Sequence, residues 1–344
     1  MTRCRILLTP LNGEAARAKG YSVGGLKALT GQSRTEPQLS FTRSQFVQEL
    51  PQKQKGMSIS GYQPKLQMIL QDLEFTVIDK QGEYILKPSP VEFPRLAENE
   101  HATMTLMSRL GFDVPPCGLL AFRSEQAGDE EEYAFVIKRF DRTAGGKGVH
   151  HEQLDAAMDI DEKYGKIADD GKSWISYEQI ARFLVANVND NLAFRIDLFR
   201  RIVYAYLLGN NDMHLRNFGL LLPQDKPPQL SPLYDFVSVV PYQAYFTAPL
   251  ALPLLACEEG DKALAGGFST RYGEYLGMDF LVLAESIGLS KRLTAALLTD
   301  LVKEQEIVES TYRESFMPED DVEAVLRYYR SRLSRLQILD EPAL

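Results

Sequence analysis

Short runs rich in β-branched and aromatic residues, separated by turn residues, recur through the first 140 residues of the chain. Such runs are typical of strands in a sheet. We predict five strands, at CRILL (4–8), EFTVID (74–79), EYILK (83–87), CGLLAF (117–122) and EYAFVIKRF (132–140). The N-terminal part of the chain is therefore expected to be a sheet-containing lobe.

A helical pattern lies between the third and fourth of these runs. Met104, Met107 and Leu110 recur at helical spacing, and Gly111 follows them as a plausible stop. We expect one helix, covering about 96–110, to cross the sheet.

The pattern becomes predominantly helical beyond a glycine-rich joint near residue 145. Ser176 and Gln179 form a capping box ahead of YEQIARFLVANV, and a second apolar face ends at Gly209. Two long helical patterns follow at about 290–314 and 318–338. The sequence thus predicts an α+β fold of two lobes, with a β-rich lobe at 1–143 and a mostly helical lobe at 144–344.

Composition and charge narrow the functional classes. The 344 residues are 44% hydrophobic and carry a formal charge of -9, which argues against a surface built to coat nucleic acid. Three separated cysteines give neither a disulfide framework nor a zinc site. Because no export signal or membrane span is visible, we expect a cytoplasmic protein that binds neither membranes nor nucleic acid directly.

The stretch GNNDMHLRNFG at 209–219 concentrates polar groups directly after an apolar helix. Asp212 and Asn217 lie five positions apart, and Asp235 follows after a predicted hairpin. Protein kinases use this order and spacing. Mg²⁺ prefers hard oxygen ligands, which Asn217 and Asp235 could supply, whereas Asp212 could accept the proton of an attacking hydroxyl.

Two further residues of this stretch suit phosphate chemistry. Arg216 adds a cation where transferred phosphate charge would need one, and His214 could orient the loop. Any one of these residues alone is more typical of a polar helix end followed by a turn, and only their joint spacing favours the catalytic interpretation. His214 fits a purely structural histidine equally well.

A phosphate-binding loop and a lysine are expected in the other lobe. GMSISGYQPKLQMIL at 56–70 is typical of a Gly- and Ser-rich turn that runs into a further strand. The turn could present backbone N–H groups near Gly61 and the hydroxyls of Ser58 and Ser60 to phosphate oxygens. Lys87 ends the strand EYILK, from which its ammonium could reach phosphates as a point charge. A solvated edge-strand lysine is the alternative interpretation.

A partner for Lys87 is expected on the helix at 96–110. Glu100 shares the inward face of Met104 and Met107 and could form an ion pair with Lys87, and Glu98 lies on a neighbouring face. A buried charge needs a partner, which favours the pair over a solvated helix start.

The strand YAFVIKRFD leads into the glycine-rich joint. Backbone groups near Lys138 and Phe140 could meet an adenine edge, and Asp141 could lie near its ribose. These three residues complete the predicted ATP site.

Seven segments together resemble the HipA-like serine/threonine protein kinases of bacterial toxin–antitoxin systems. They run in the family's order: SISGYQPK (58–65), YILKPS (84–89), LAENEHATM (96–104), VIKRFDR (136–142), HHEQLDA (151–157), NNDMHLRNFG (210–219) and YDFVS (234–238). The resemblance implies a two-lobed kinase fold in which Lys87 contacts ATP phosphates, Asp212 is the catalytic base, and Asn217 with Asp235 holds Mg²⁺.

Within that family the chain resembles the shorter HipT-type toxins. Full-length relatives carry an additional N-terminal subdomain that the chain before residue 50 is too short to supply. The resemblance implies a separate HipS-like antitoxin, a HipB-like DNA-binding protein, and autophosphorylation at Ser58 and Ser60. It also implies an aminoacyl-tRNA synthetase as protein substrate, with tryptophanyl-tRNA synthetase expected for this branch.

Two other functions remain open at the level of sequence. A small-molecule phosphotransferase of the aminoglycoside-kinase kind uses a similar Asp and Asn spacing. A catalytically silent scaffold that binds an antitoxin is the other, although the presence of Lys87, Asp212, Asn217 and Asp235 disfavours it.

Overall fold

The chain divides into two compact units in a computed structural model. The structure describes residues 2–48, 64–126, 128, 130–143, 146–165 and 175–340. The first unit comprises Met1–Gly148 together with Ser310–Pro318, and the second comprises Val149–Glu309 and Glu319–Leu344. The sequence pattern, which placed a single division after residue 143, did not foresee that 310–318 returns to the first unit.

Three short helices precede the sheet of the first unit: α1 (Glu14–Lys19), α2 (Val23–Thr30) and α3 (Arg43–Gln48). Apolar side chains of this N-terminal stretch, among them Leu26 and Phe46, belong to the same buried core as residues of the sheet. The predicted strand at 4–8 is wrong. Residues 5–7 form a turn, closed by a hydrogen bond from the Leu8 N–H to the Cys4 carbonyl.

An antiparallel sheet of five strands forms the centre of the first unit, in the order β2-β1-β3-β5-β4. Its strands are β1 (Leu66–Gln71), β2 (Glu74–Val77), β3 (Tyr84–Pro88), β4 (Cys117–Ala121) and β5 (Tyr133–Lys138). The central pair, β3 and β5, is almost entirely buried. Four of the five predicted strands are therefore confirmed.

Helix α4 (Leu96–Arg109) packs against β3, β4 and β5. The predicted helix at 96–110 is thus confirmed. Its first residue follows Arg95, which adopts a left-handed backbone conformation with φ 59° and so turns the chain sharply into the helix.

The second unit is mostly helical. Its helices are α5 (Leu154–Ala157), α6 (Tyr177–Asn187), α7 (Leu192–Leu208), α8 (Gly277–Ser286), α9 (Lys291–Asp300), α10 (Gln305–Arg313, whose last four residues belong to the first unit) and α11 (Glu319–Leu336). A small antiparallel sheet joins β6 (His150–Gln153), β7 (Gly219–Leu222) and β8 (Gln229–Leu230). The predicted α+β class, with a β-rich first part and a mostly helical second part, is confirmed.

The helix-end signals of the second unit were only partly correct. The Ser176 hydroxyl accepts the Gln179 N–H as predicted, but the Gln179 side chain bonds to Glu259 instead of closing the capping box. The single helix expected at 290–314 is divided into α9 and α10 by the 3-10 turn Leu301–Glu304. Among the described residues, none of the helices is long and apolar enough to cross a lipid bilayer.

Candidate active site

Lys87 forms a buried ion pair in the first unit. It lies on β3, opposite Phe135 of β5, and is 3% exposed. Its Nζ donates to Glu100 Oε1 at 2.6 Å and lies 5.5 Å from the centroid of the Phe135 ring. The helical spacing that placed Glu100 on the inward face of α4 therefore brings the two side chains together.

Glu98 does not pair with Lys87. Its Oε1 accepts from Arg95 Nη1 at 2.9 Å, and Arg95 also reaches the exposed Glu130. Burial raises the pKa of the Glu98 carboxyl, opposed by the hydrogen bond from Arg95. Lys87 is thus matched to Glu100, and Glu98 to Arg95.

The residues predicted to meet adenine and ribose lie at and beyond the end of β5. Lys138 Nζ is 6.0 Å from the Tyr84 ring centroid, and Phe140 is partly buried. The Asp141 carboxylate receives hydrogen bonds from Arg139 at 2.6 and 2.9 Å and from Arg142 at 3.0 Å. Burial acts to raise the pKa of Asp141, but the two arginines outweigh it and hold the pKa below its usual range.

The predicted phosphate loop, with Ser58, Ser60 and Gly61, lies outside the described residues, so its role stays a prediction. The strand that follows this loop, β1, is the expected one.

Asp212 stands in the second unit just after α7, which ends at the left-handed Gly209. Its side chain is 50% exposed, so its carboxylate is open to solvent. Asp212 Oδ1 lies 3.4 Å from the Tyr164 hydroxyl and 3.9 Å from Lys163 Nζ. The buried Asn210 accepts the Asp212 N–H at 3.2 Å and fixes the backbone there.

Asn217 ends the 3-10 turn Leu215–Asn217 that follows Asp212. Its Nδ2 donates to the Asp212 carbonyl at 2.7 Å. This bond uses an N–H of the amide, and the acceptor atom of the side chain, Oδ1, is a hard oxygen of the kind that binds Mg²⁺. The five-residue spacing thus closes a compact loop.

His214 lies between these two residues and is neutral at physiological pH. Burial lowers the pKa of its imidazole to about 4, and the neighbouring Lys163 acts in the same direction. Its Nε2 is 3.6 Å from Asp212 Oδ1, which for a neutral ring is a contact and not an ion pair. The ring also stands edge-on to Tyr164 at 5.3 Å. These contacts give His214 a part in shaping the loop around Asp212.

Arg216 is engaged by a carboxylate that the sequence interpretation missed. Its Nε donates to Asp155 Oδ2 at 2.6 Å. The Arg216 carbonyl accepts from the Tyr234 hydroxyl at 2.9 Å, which anchors the loop further. The signal for Asp155 was present, since it lies in the segment HHEQLDA, but pairing across 61 residues is not readable from spacing.

Lys163 and Tyr164 were also missed. The Lys163 carbonyl accepts the Leu215 N–H at 3.0 Å, and both side chains approach Asp212. Nothing in the local pattern distinguishes KYG at 163–165 from an ordinary turn, so no sequence signal singles them out.

Asp235 adopts a left-handed backbone conformation with φ 52°, which Asp tolerates better than most residues. It is partly buried between the buried Tyr234 and Phe236, and its negative charge acts to raise the pKa of His214. Asp235 is therefore close to the loop that carries Asp212 and Asn217.

The oxygen donors of this loop and of the nearby Asp235 suit Mg²⁺. Asn217 and Asp235 supply an amide and a carboxylate oxygen, both hard ligands. Among the described residues, no group of three or more His, Cys, Asp or Glu could hold a metal ion by itself. Mg²⁺ commonly uses one or two protein oxygens together with substrate phosphates and water, so this sparse donor set fits it.

Comparisons with known proteins identify relatives along the whole chain. The family model of the HipA-like C-terminal domain matches residues 57–308. A Haemophilus influenzae (strain Rd) protein named "Putative kinase" is 53% identical over 346 residues, covering 100% of both chains. "Putative kinase Y4dM" of Sinorhizobium fredii (strain NBRC 101917 / NGR234) is 34% identical over 168 residues, which are 47% of this chain and 38% of that protein.

A solved structure shares the fold. The Shewanella oneidensis MR-1 toxin–antitoxin system, HipA and HipB with operator DNA, contains a chain that matches with a TM-score of 0.61 and 22% identity. The match covers 82% of this chain and 64% of that one, so this chain spans less than two thirds of its length. With the family match over residues 57–308, the chain is a member of the HipA-like C-terminal domain family.

Proposed function

We propose that this chain is an ATP- and Mg²⁺-dependent serine/threonine protein kinase that acts as the toxin of a toxin–antitoxin system. The observation that carries the proposal is the bond from Asn217 to the Asp212 carbonyl, which joins a half-exposed carboxylate and a metal-binding amide in one loop. The close relative named as a kinase and the family membership support it.

The roles of the residues follow from their surroundings. Lys87, held by Glu100, contacts nucleotide phosphates as a point charge. Asp212 orients the hydroxyl of a serine or threonine and accepts its proton. Asn217 and Asp235 would hold Mg²⁺, which when bound neutralises charge that develops on the phosphate oxygens.

Replacing the proposed base tests the proposal. Asp212→Asn keeps the size of the side chain and is expected to lower phosphate transfer from labelled ATP by about 10³-fold or more, while folding and ATP binding remain. Asp225→Asn, in an exposed turn of the same unit, is the matched control. Undiminished labelling of protein by Asp212→Asn would refute the assignment, and labelling of an aminoglycoside but no protein would favour a small-molecule phosphotransferase.

The same experiment identifies the substrate class. In a cell extract we expect the label on an aminoacyl-tRNA synthetase, with the tryptophanyl enzyme as the leading candidate. Mass spectrometry of the autolabelled chain is expected to find phosphate on Ser58 and Ser60, where roughly two negative charges each would repel ATP phosphates. The proposed partners are a HipS-like antitoxin and a HipB-like DNA-binding protein, of which HipB is present in the Shewanella complex.

A further inference from the structure

Helix α4 carries Glu100 and is enclosed on nearly every side. All residues from Ala97 to Met104 are buried, and so are Leu106 and Met107. The sheet covers only one side of the helix, through β3, β4 and β5. Other parts of the chain must therefore cover the rest.

The segment Ser310–Pro318 supplies much of this cover. The Tyr312 hydroxyl lies 3.0 Å from Thr103 Oγ1, and both residues are fully buried. Near the end of the helix, Arg109 Nη1 donates to Thr311 Oγ1 and to Glu314 Oε2, each at 2.9 Å. Three polar contacts thus tie α4 to residues that lie more than 200 positions later in the chain.

This segment is an excursion from the second unit. The residues on either side of it, up to Glu309 and from Glu319 onward, belong to that unit. The chain therefore leaves the second unit, contacts α4 and then returns to the second unit. The segment also contacts other parts of the first unit, since Phe316 packs on Tyr133 of β5 and Glu314 pairs with Arg3. The fully buried hydroxyl of Tyr312, in contrast, meets α4 at Thr103.

The placement of α4 decides whether Glu100 meets Lys87. Thr103 lies one helical turn after Glu100, so a slide or rotation of the helix at Thr103 moves Glu100 by a similar amount. If Glu100 moves with the helix in this way, its carboxylate loses the 2.6 Å hydrogen bond from Lys87 Nζ. We propose that Tyr312 is a positioning residue, whose hydroxyl holds α4 in the register that keeps Glu100 on Lys87. The role of Lys87 in ATP binding rests on the proposed function.

Removing a single hydroxyl tests the proposal. Tyr312→Phe keeps the ring, and Thr103 retains its bond to Asn99 at 3.3 Å, so folding should persist. The KM for ATP is expected to rise about three- to tenfold, the worth of one hydrogen bond, with kcat changed less than about twofold. Tyr329→Phe is the matched control, because Tyr329 is also fully buried but its hydroxyl has no partner within the described residues.

Hydrogen exchange supplies a measurement that needs no catalysis. Amides of α4 are expected to exchange at least about threefold faster in Tyr312→Phe and in Thr103→Val, and at the wild-type rate in Tyr329→Phe. The double variant should exchange no faster than Thr103→Val alone, since Thr103→Val already removes the contact with Tyr312.

The outcomes separate this proposal from the proposed function. Unchanged exchange in α4 overturns the positioning role whether or not the chain transfers phosphate. Faster exchange with an unchanged KM for ATP in an active enzyme also overturns it, because Glu100 would then not depend on the contact. If wild-type protein transfers no phosphate, the kinase proposal fails, and exchange in α4 alone decides the hold of Tyr312 on the helix.

Discussion

Two opposite charges at the centre of the first unit are almost completely removed from water. Lys87 is 3% and Glu100 is 1% exposed, and each is the other's ionic partner at 2.6 Å. A buried pair gains little net stability over apolar residues, because desolvation offsets the attraction, but a single buried charge without its partner is strongly destabilising. Stability alone therefore does not explain this pair, whereas the phosphate-binding role proposed for Lys87 does.

The first prediction separates stability from function at this pair. Glu100→Gln is expected to lower the free energy of unfolding by about 3–5 kcal/mol, since it removes the carboxylate charge that the buried Lys87 ammonium contacts at 2.6 Å. The double change Lys87→Met with Glu100→Leu should recover most of that loss yet transfer no phosphate. Urea denaturation and a labelling assay measure the two effects.

Glu98→Gln is the control for this prediction. Glu98 is as buried as Glu100, but its partner Arg95 is partly exposed and has a second carboxylate, Glu130. We expect a loss of about 1 kcal/mol or less. If Glu98→Gln destabilises the chain as much as Glu100→Gln, the prediction that the Lys87–Glu100 pair is the more sensitive of the two is wrong.

The sequence predicted a side-chain pair in which both members lie on a regular helix or strand. It missed pairs in which at least one member lies in a loop. Helical periodicity alone placed Glu100 inward, toward Lys87. Glu130, Glu131 and Glu132 are consecutive acidic residues, and each meets an arginine from a distant part of the first unit. No local rule predicts such pairs, because loops and long separations decide them.

At the scale of elements, periodicity identified most helices and strands, and its failures have physical causes. The stretch 4–8 buries Cys4, Ile6 and Leu8 as an alternating strand would, but it does so in a turn without ladder pairing. The stretch 290–314 contains no glycine or proline, so nothing in it signals the 3-10 turn Leu301–Glu304. Burial patterns report which side chains are inside, and only the partner segments determine the backbone that puts them there.

The second prediction concerns the end of α7, which sets the start of the Asp212 loop. Gly209 has φ 63°, and a Cβ there would lie 2.5 Å from Val240 Cγ2 and 3.0 Å from the Phe246 ring. Gly209→Ala is expected to cost about 3 kcal/mol or more, from left-handed strain of about 1–2 kcal/mol plus overpacking. The free energy of unfolding and the labelling rate should fall together.

Gly31→Ala provides the comparison. Gly31 ends α2 with φ 78°, but a Cβ there has nothing within 4 Å. Only the strain remains, so we expect a loss of about 1 kcal/mol and full activity. Equal losses in the two variants would show that packing around Gly209 is looser than the structure indicates.

For the molecule as a whole, the hydrophobic periodicity predicted the α+β class and the order of the two parts, because both depend on local patterns. The periodicity did not predict that residues 310–318 belong to the first unit. The bond between Thr103 and Tyr312 joins residues 209 positions apart, and both side chains look like ordinary positions on amphipathic helices. The contact of a late segment with an early helix depends on tertiary packing, which cannot be read from a single sequence.

Each unit contains one buried histidine that stays neutral, which makes the whole chain sensitive to acid. Burial lowers the pKa of His101 in the first unit and of His214 in the second to about 4, from an ordinary value of 6.5. The charges of Arg109 near His101, and of Lys163 near His214, act in the same direction. Above about pH 7.5 the imidazoles are largely neutral whether the chain is folded or unfolded, so they add little pH dependence there.

The third prediction follows from the sign of these shifts. As the pH falls from about 6.5 toward 4, the unfolded chain takes up protons that the folded chain refuses, so each histidine lowers the free energy of unfolding, by about 2 kcal/mol at pH 5. In His101→Gln or His214→Gln the loss between about pH 7.5 and 5 should be smaller than in wild type by that amount. His150→Gln, at an exposed position of β6, should leave the loss unchanged. Urea denaturation at the two pH values measures it, and because carboxylates titrate in every variant, their contribution cancels in the comparison. Parallel losses in all four proteins would mean that the two imidazoles accept protons in the folded chain.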